Sequence, residues 1–262
     1  MRSGICPRMI YLLLGGACAL LGITGGIGAS TLLRPLLDAI SPLEGETLSV
    51  LCSAATLGAA LVSAFFALSQ PIPLHQDELL LLAIGSLLGG TLGELISARF
   101  FALLPTRGVL LLQNGLLFPL LALPAVYACG LSRTIRPLSI TRMAALPASL
   151  LLGIVASFLS FGAVPLSLMA YHLLFDARED ESSTAALTIA LCAMAGKMIL
   201  LLIRLRLNLP RADVLLWLLP GAVLGALTAM IPGIQRSFRI PGQMLIRFAL
   251  FACGINMAAA FA

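Results

Sequence analysis

The stretch "GITGGIGASTLLRPLL", Gly22 to Leu37, puts Gly25, Gly26 and Gly28 within four positions of an otherwise apolar run. Glycine weakens a helix interior by roughly 1 kcal/mol relative to alanine. The run therefore predicts a helix that stops and restarts, with Thr24 before the stop and Ala29, Ser30 and Thr31 at the restart. Apolar residues continue on both sides, so the break falls inside one long segment covering residues 9–40.

The surroundings settle the class. Of 262 residues, 60% are hydrophobic and 10% charged, and the mean hydropathy is +1.07. A soluble domain carries about 25% charged residues and could not hide so much apolar side chain in one core. The composition predicts a polytopic membrane protein. The N-terminal "MRSGICPRMIYLLLGGACALLG" faintly resembles a secretory signal, but it has no clean cleavage end and its apolar character runs past residue 30. It is read as a retained membrane segment. The net charge of +5 comes from basic residues scattered at segment edges. They are topology signals rather than a nucleic-acid patch, and no nucleic-acid partner is expected. Cys6, Cys18, Cys52, Cys129, Cys192 and Cys253 form no CxxC pair. They read as small apolar filler, with metal or redox chemistry the alternative.

Eight apolar segments lie between polar or turn-rich breaks: 9–40, 47–69, 79–103, 107–129, 144–175, 183–204, 213–234 and 243–261. A spanning helix needs roughly 20 residues, yet the first and fifth run to about 32 and are interrupted by glycine or proline. If the N-terminus is inside, the inner loops carry Arg2, Arg8, Arg133, Arg136, Arg142, Arg204, Arg206 and Arg211. The outer loops then carry Arg34, Arg99, Arg107, Arg178, Arg236 and Arg239. That bias is too small to orient the chain.

The two long segments mark an internal duplication. Gly28-Ala29-Ser30 falls on Gly162-Ala163-Val164 at a shift of 134, and Gly108 falls on Gly242 at the same shift. Gly85 and Gly89 pair with Gly221 and Gly225 at a shift of 136. The expected fold is all-α, with about eight transmembrane helices in two repeats of four. The repeats are 1–133 and 134–262, and the first helix of each is long and broken. Four crossings per repeat make the repeats parallel. Were the broken segments re-entrant, each half would cross three times and the repeats would be inverted. The shortness of the 32-residue segments favours four plus four.

"GGIGASTLLRPLL" resembles the first signature of the sulfite exporter TauE/SafE family, a GxGGG-type cluster followed by proline and leucine. Gly26, Gly28, Pro35 and Leu37 match it, while Ala29 and Ser30 stand where the signature has glycine. "SFGAVPLSLMAYHLL" resembles the second signature through Gly162 and Pro165, with Ser160, Ala163 and Val164 in place of glycines. "LLPGAVLGALTAMI" and the duplicated plan extend the similarity along the chain. The resemblance implies a multi-pass transporter in the cytoplasmic membrane that moves small anions such as sulfite or organosulfonates. It implies no cofactor.

The residues suggest how. Backbone outside a helix is tolerated at membrane depth only where protein or a water-filled cavity satisfies it. A restarting helix also offers free N–H groups at its positive end, which can bind an anion. Thr24, Gly25, Gly26, Gly28, Ala29, Ser30 and Thr31, with Ser160, Gly162, Ala163 and Pro165, form the candidate substrate site. Close helix packing through small residues is the plainer alternative.

Ionisable groups at membrane depth are costly and default to function. Lys197 reads either as a positive charge facing the substrate or as a lysine snorkelling to the interface. Glu94 could pair with Lys197 or Arg247, could carry a coupling proton, or could sit at an edge near Arg99; it is taken as the one acid well inside a segment. Arg247 reads as interfacial. Gln113, Asn114 and Asn256 are polar groups at membrane depth, suited to interhelical hydrogen bonds or substrate contact. Ser63 occupies roughly the repeat position of Lys197, so the halves differ in charge.

No HExxH motif or paired intramembrane aspartate points to an enzyme, and no GxxxxGK[ST] points to an ATP-driven pump. A passive channel or a membrane scaffold is the remaining alternative to a gradient-driven transporter.

Overall fold

A computed structural model describes residues 7–40, 45–67, 69, 74–129, 137–204, 211–237 and 241–261. The 133/134 repeat boundary, Cys6, Arg2, Arg133, Arg136, Arg206 and Arg239 lie outside them. The described chain is helical: α1 Pro7–Thr24, α2 Ala29–Ile40, α3 Gly45–Ala67, α4 Gln76–Leu103, α5 Thr106–Ala128, α6 Ala145–Leu159, α7 Val164–Phe175, α8 Glu179–Arg204, α9 Ala212–Ala229, α10 Pro232–Ser237 and α11 Gly242–Phe261. A 3₁₀ turn, Arg142–Ala144, leads into α6. Six helices are long and apolar enough to cross a membrane, and α1, α7 and α11 are shorter apolar helices. Acidic residues open α4 (Asp77, Glu78) and α8 (Glu179, Asp180, Glu181), where the helix dipole favours them.

Both long segments break where glycine predicts. The first stops at Thr24 and restarts at Ala29; the second stops at Leu159 and restarts at Val164, with Pro165 in the opening turn of α7. Neither continues in its original direction. The Leu138 and Ile140 N–H groups, just before α6, donate to the carbonyls of Leu173 and Leu174 at the end of α7, both at 2.8 Å. Glu78 at the start of α4 accepts from Tyr171 of α7 and lies 3.9 Å from Arg142 before α6. Segment five thus enters and leaves at one end of the bundle, the Glu78 end.

Segment one does the same at the opposite end. Arg204, closing α8, pairs with Glu46, opening α3, and α9 begins eight residues after Arg204, at Ala212. Helix α1 runs parallel to α9: a Cβ on Gly15 would press on Leu218 and Ala222, and Gly225 lies against Gly16. Helix α2 runs back to Ile40, and α3 opens at Gly45. Both arms of this hairpin therefore reach the Glu46 end.

In each long segment the two arms thus begin and end at the same end of the bundle, and the stretch containing α6 is among the six that are long and apolar enough to cross a membrane. The 32 residues accommodate a hairpin because each second arm, α2 or α7, is only 12 residues long. The hairpins are clasped across the halves. Gly85, Gly89 and Gly93 of α4 let α6 approach, a Cβ on Gly93 falling 2.5 Å from the Ile154 carbonyl, while Gly221 and Gly225 of α9 receive α1. Small residues at such contacts are how membrane helices pack closely.

Candidate functional site

The tips of the two hairpins meet inside the bundle. Ser30 Oγ donates to the Phe161 carbonyl. Gly28 holds φ +80°, and a Cβ there would fall 2.8 Å from Val164 Cγ2. Gly162 holds φ +69°, and a Cβ there would fall 3.0 Å from Ser30 Oγ. Ser160 and Ala163 take left-handed φ of 56° and 51° although neither is glycine. That region costs an L-residue about 1–2 kcal/mol, so the second break retains its shape under strain.

At position 160 the side chain offsets the strain. Ser160 Oγ accepts from Lys197 Nζ at 2.7 Å and lies 2.9 Å from Ser49 Oγ. Lys197 is 0% exposed. Its ammonium also donates to the Ser157 carbonyl at 2.5 Å, at the negative end of α6, and lies 3.4 Å from Glu94 Oε2. The lysine is buried and does not snorkel. Glu94, 1% exposed, is no edge carboxylate near Arg99: its other oxygen lies 3.2 Å from Arg204 Nη1. Arg204 in turn pairs with Glu46, half-exposed at the bundle end. A chain of charges thus links Glu46, Arg204, Glu94 and Lys197 to the second break.

A further pair lies beside the first break. Arg34 and Asp38, one turn apart on α2, are 3.5 Å apart, with side chains 1% and 2% exposed. Arg34 Nη2 donates to Gln113 Oε1, and Gln113 Nε2 donates to the Phe158 carbonyl at 3.3 Å, joining α2, α5 and the end of α6. Asn114 Nδ2 lies 3.4 Å from Asp38 Oδ2. Asn256 Nδ2 donates to the Pro35 carbonyl at 2.9 Å, tying α11 to α2. Cys52 of α3 is buried in the same apolar core as Leu33 and Leu37 of α2.

Of the residues expected at the site, Gly28, Ala29, Ser30, Thr31, Ser160, Gly162, Ala163, Pro165 and Lys197 gather at or beside the crossing. Thr24, Gly25 and Gly26 lie elsewhere. The Thr24 hydroxyl turns back onto the Leu20 carbonyl at 2.8 Å, Gly25 faces Gly242 and Leu245 of α11, and Gly26 has open space beside it. Two expected donors are also already engaged. Ser30 donates to Phe161 and Thr31 donates to the Ile27 carbonyl at 2.6 Å, while the Gly22 carbonyl takes the N–H groups of Ile27 and Gly28. One hydroxyl has one proton to give, so in this conformation the freed donors are the first N–H groups of α2 and α7.

Arg247 does not reach Glu94; it is exposed, with Nη2 3.3 Å from Cys129 Sγ. Ser63 bonds only its own helix, at the Ala59 carbonyl, 3.0 Å away. Arg34 and Asp38 were not among the sequence candidates, and Arg34 was counted with the outer loops. The i,i+4 spacing of opposite charges within an apolar segment was the available signal. Asp38 corrects the expectation that Glu94 is the one deeply placed acid. Among the described residues no group of three His, Cys, Asp or Glu side chains is arranged to hold a metal ion.

A pocket of about 210 Å³ opens at the Glu78 end, between Leu74, Glu78, Arg142, Tyr171 and Glu181, where the second hairpin enters. Comparisons of the chain with protein-family models, with curated proteins and with solved structures found no match.

Proposed function

We propose that this chain is a secondary transporter of small anions, sulfite- or organosulfonate-like as the resemblance implies, in a cytoplasmic membrane. It works as an exporter by alternating access between two repeats, 1–133 and 134–262. Each repeat has four apolar segments, the first a hairpin and the other three crossing. An odd number of crossings makes the repeats inverted, the arrangement in which broken helices of two related halves form a midplane site.

The observation that supports this best is the meeting of the two breaks inside the bundle, with a buried cation beside each: Arg34 by the first and Lys197 by the second. Buried charges in a membrane protein are expensive and are kept for function. The pairing of each hairpin with the other half's helix supports alternating access, because rocking one half on the other moves both tips.

The test is uptake of radiolabelled sulfite and of a sulfonate into proteoliposomes. Saturable uptake is expected for a transporter, and linear uptake would instead favour a passive channel. Gly28→Leu should abolish uptake with the protein still inserted, because even a Cβ there meets Val164. Absence of flux for every sulfur oxyanion and sulfonate leaves the scaffold reading.

A further inference from the structure

The two buried cations are not equivalent in what they can still bind. A lysine ammonium has three donors. Those of Lys197 face Ser157 O, Ser160 Oγ and Glu94 Oε2, at 2.5, 2.7 and 3.4 Å. Lys197 therefore spends two donors on holding the second break in shape and faces its own carboxylate with its charge, although Glu94 Oε2 is itself buried without a hydrogen-bond partner among the described residues. An arginine has five donors in a planar fork. Arg34 directs Nε at Asp38 and one Nη2 hydrogen at Gln113, while Nη1 has no partner among the described residues although it is fully buried. Asp38 Oδ1, in the same cluster, is likewise buried and without a hydrogen-bond partner. A guanidinium edge and a carboxylate oxygen, both desolvated and both short of a partner, are costly to keep as they are.

We propose that Arg34 is the residue that holds the transported oxyanion, and that Asp38 is its internal counterion, displaced and protonated when the anion binds. This rests on the transporter reading above. In the resting cluster the +1 of Arg34 is matched by the −1 of Asp38. An oxyanion that accepts from the open Nη1, on the far side of the guanidinium from Nε, neutralises Arg34 in place of the Asp38 carboxylate. The displaced carboxylate would then be an uncompensated charge at membrane depth, which costs several kcal/mol. It takes one proton from the water on the open side, becomes a neutral acid and can donate to the bound anion. Charge balances throughout: Arg34 with Asp38 is neutral, and Arg34 with a monoanion and protonated Asp38 is neutral again. One anion and one proton would enter and leave together.

The groups around Asp38 permit this. On its own helix it faces Arg34; from α5 come Gln113 and Asn114, which are uncharged amides; from α3 and α11 come Cys52 and Cys253. Lys197 faces its own carboxylate, Glu94, at 3.4 Å. Among the described residues, Arg34 is the charged side chain paired with Asp38, and Asn114 is the amide beside it.

Methanesulfonate is a suitable probe, because its charge is fixed across the working pH range and any proton movement belongs to the protein. The full-length protein in weakly buffered detergent is titrated with methanesulfonate while a pH dye and the thermal unfolding temperature are followed. Uptake of about one proton per bound anion is expected from the linkage of the two equilibria. Asp38→Asn should bind about tenfold more tightly near pH 8 and take up no proton. Arg34→Met/Asp38→Asn, which leaves the cluster neutral and avoids an orphaned charge, should bind at least about tenfold more weakly than Asp38→Asn alone, a loss of about 1.4 kcal/mol.

Unchanged proton uptake in Asp38→Asn would overturn the role of Asp38 and assign the proton to Glu94. Unchanged affinity in the double variant would overturn the role of Arg34. In either case sulfite flux by the wild type leaves the transporter reading standing. If the wild type neither binds methanesulfonate nor moves sulfite, both fall together.

Discussion

Lys197 shows how little a charge's position in the sequence says about its work. Nothing near it in sequence is acidic, yet its ammonium closes the carbonyl end of α6, fixes Ser160 in a left-handed conformation and faces Glu94. Removing one member of a buried pair leaves the other uncompensated, which typically costs about 3–5 kcal/mol, whereas removing both is far milder. Lys197→Met should therefore destabilise the protein by that amount. Lys197→Met/Glu94→Gln should recover a large part of it, although Arg204 then loses one of its two carboxylates. The double-mutant cycle is measured by reversible unfolding in mixed micelles. Additive losses would mean that the 3.4 Å approach of the two groups carries no coupling.

At the scale of the element, the helix limits were largely legible in the sequence. Glycine at 25–28 and at 162, proline at 165 and the polar separators placed most stops within a few residues of where they occur, whereas the break between α9 and α10 inside segment 213–234 was not foreseen. The fold-back was not legible. A helix that ends and restarts has the same apolar content whether the second piece continues or returns, and only its 12-residue length hints at return. The charges were misjudged for the same reason. In a continuous span Arg34 and Asp38 fall near a membrane edge, but the returning arm carries them alongside α5 and α11, into the interior. The hairpin makes a direct prediction. In a cysteine-free background, Ser139→Cys and Asp176→Cys should react with an impermeant thiol reagent from the same side of the membrane. Ile40→Cys should react from the other. Labelling of positions 139 and 176 from opposite sides would mean that segment five crosses.

For the whole molecule, the consequence of the clasped hairpins is that the first arm of each is seated chiefly by a helix of the other half. Helix α1 lies against α9 and α6 against α4, so each hairpin's first arm is seated by the other half, while the second arms α2 and α7 also pack on α3 and α8 of their own halves. The contacts also match one another under exchange of halves: α4 with α8 answers α9 with α3, and α5 with α7 answers α11 with α2. Split apart, each half would expose the small-residue faces of its grooved helix, Gly85, Gly89 and Gly93 on α4 or Gly221 and Gly225 on α9, with no arm to fill them. Such faces associate by close van der Waals contact, and lipid chains fill them poorly. Residues 1–133 and 134–262 produced alone should therefore be protease-sensitive and polydisperse in detergent. Co-produced as two chains, they should co-purify at equal stoichiometry and, on the transporter reading proposed above, recover anion uptake, since the only covalent link lost lies between α5 and the turn before α6. A single half that purifies as a monodisperse, protease-resistant species would show that the repeats are independent units. The crossing of the two tips would then be a contact between finished domains rather than the centre around which both are built.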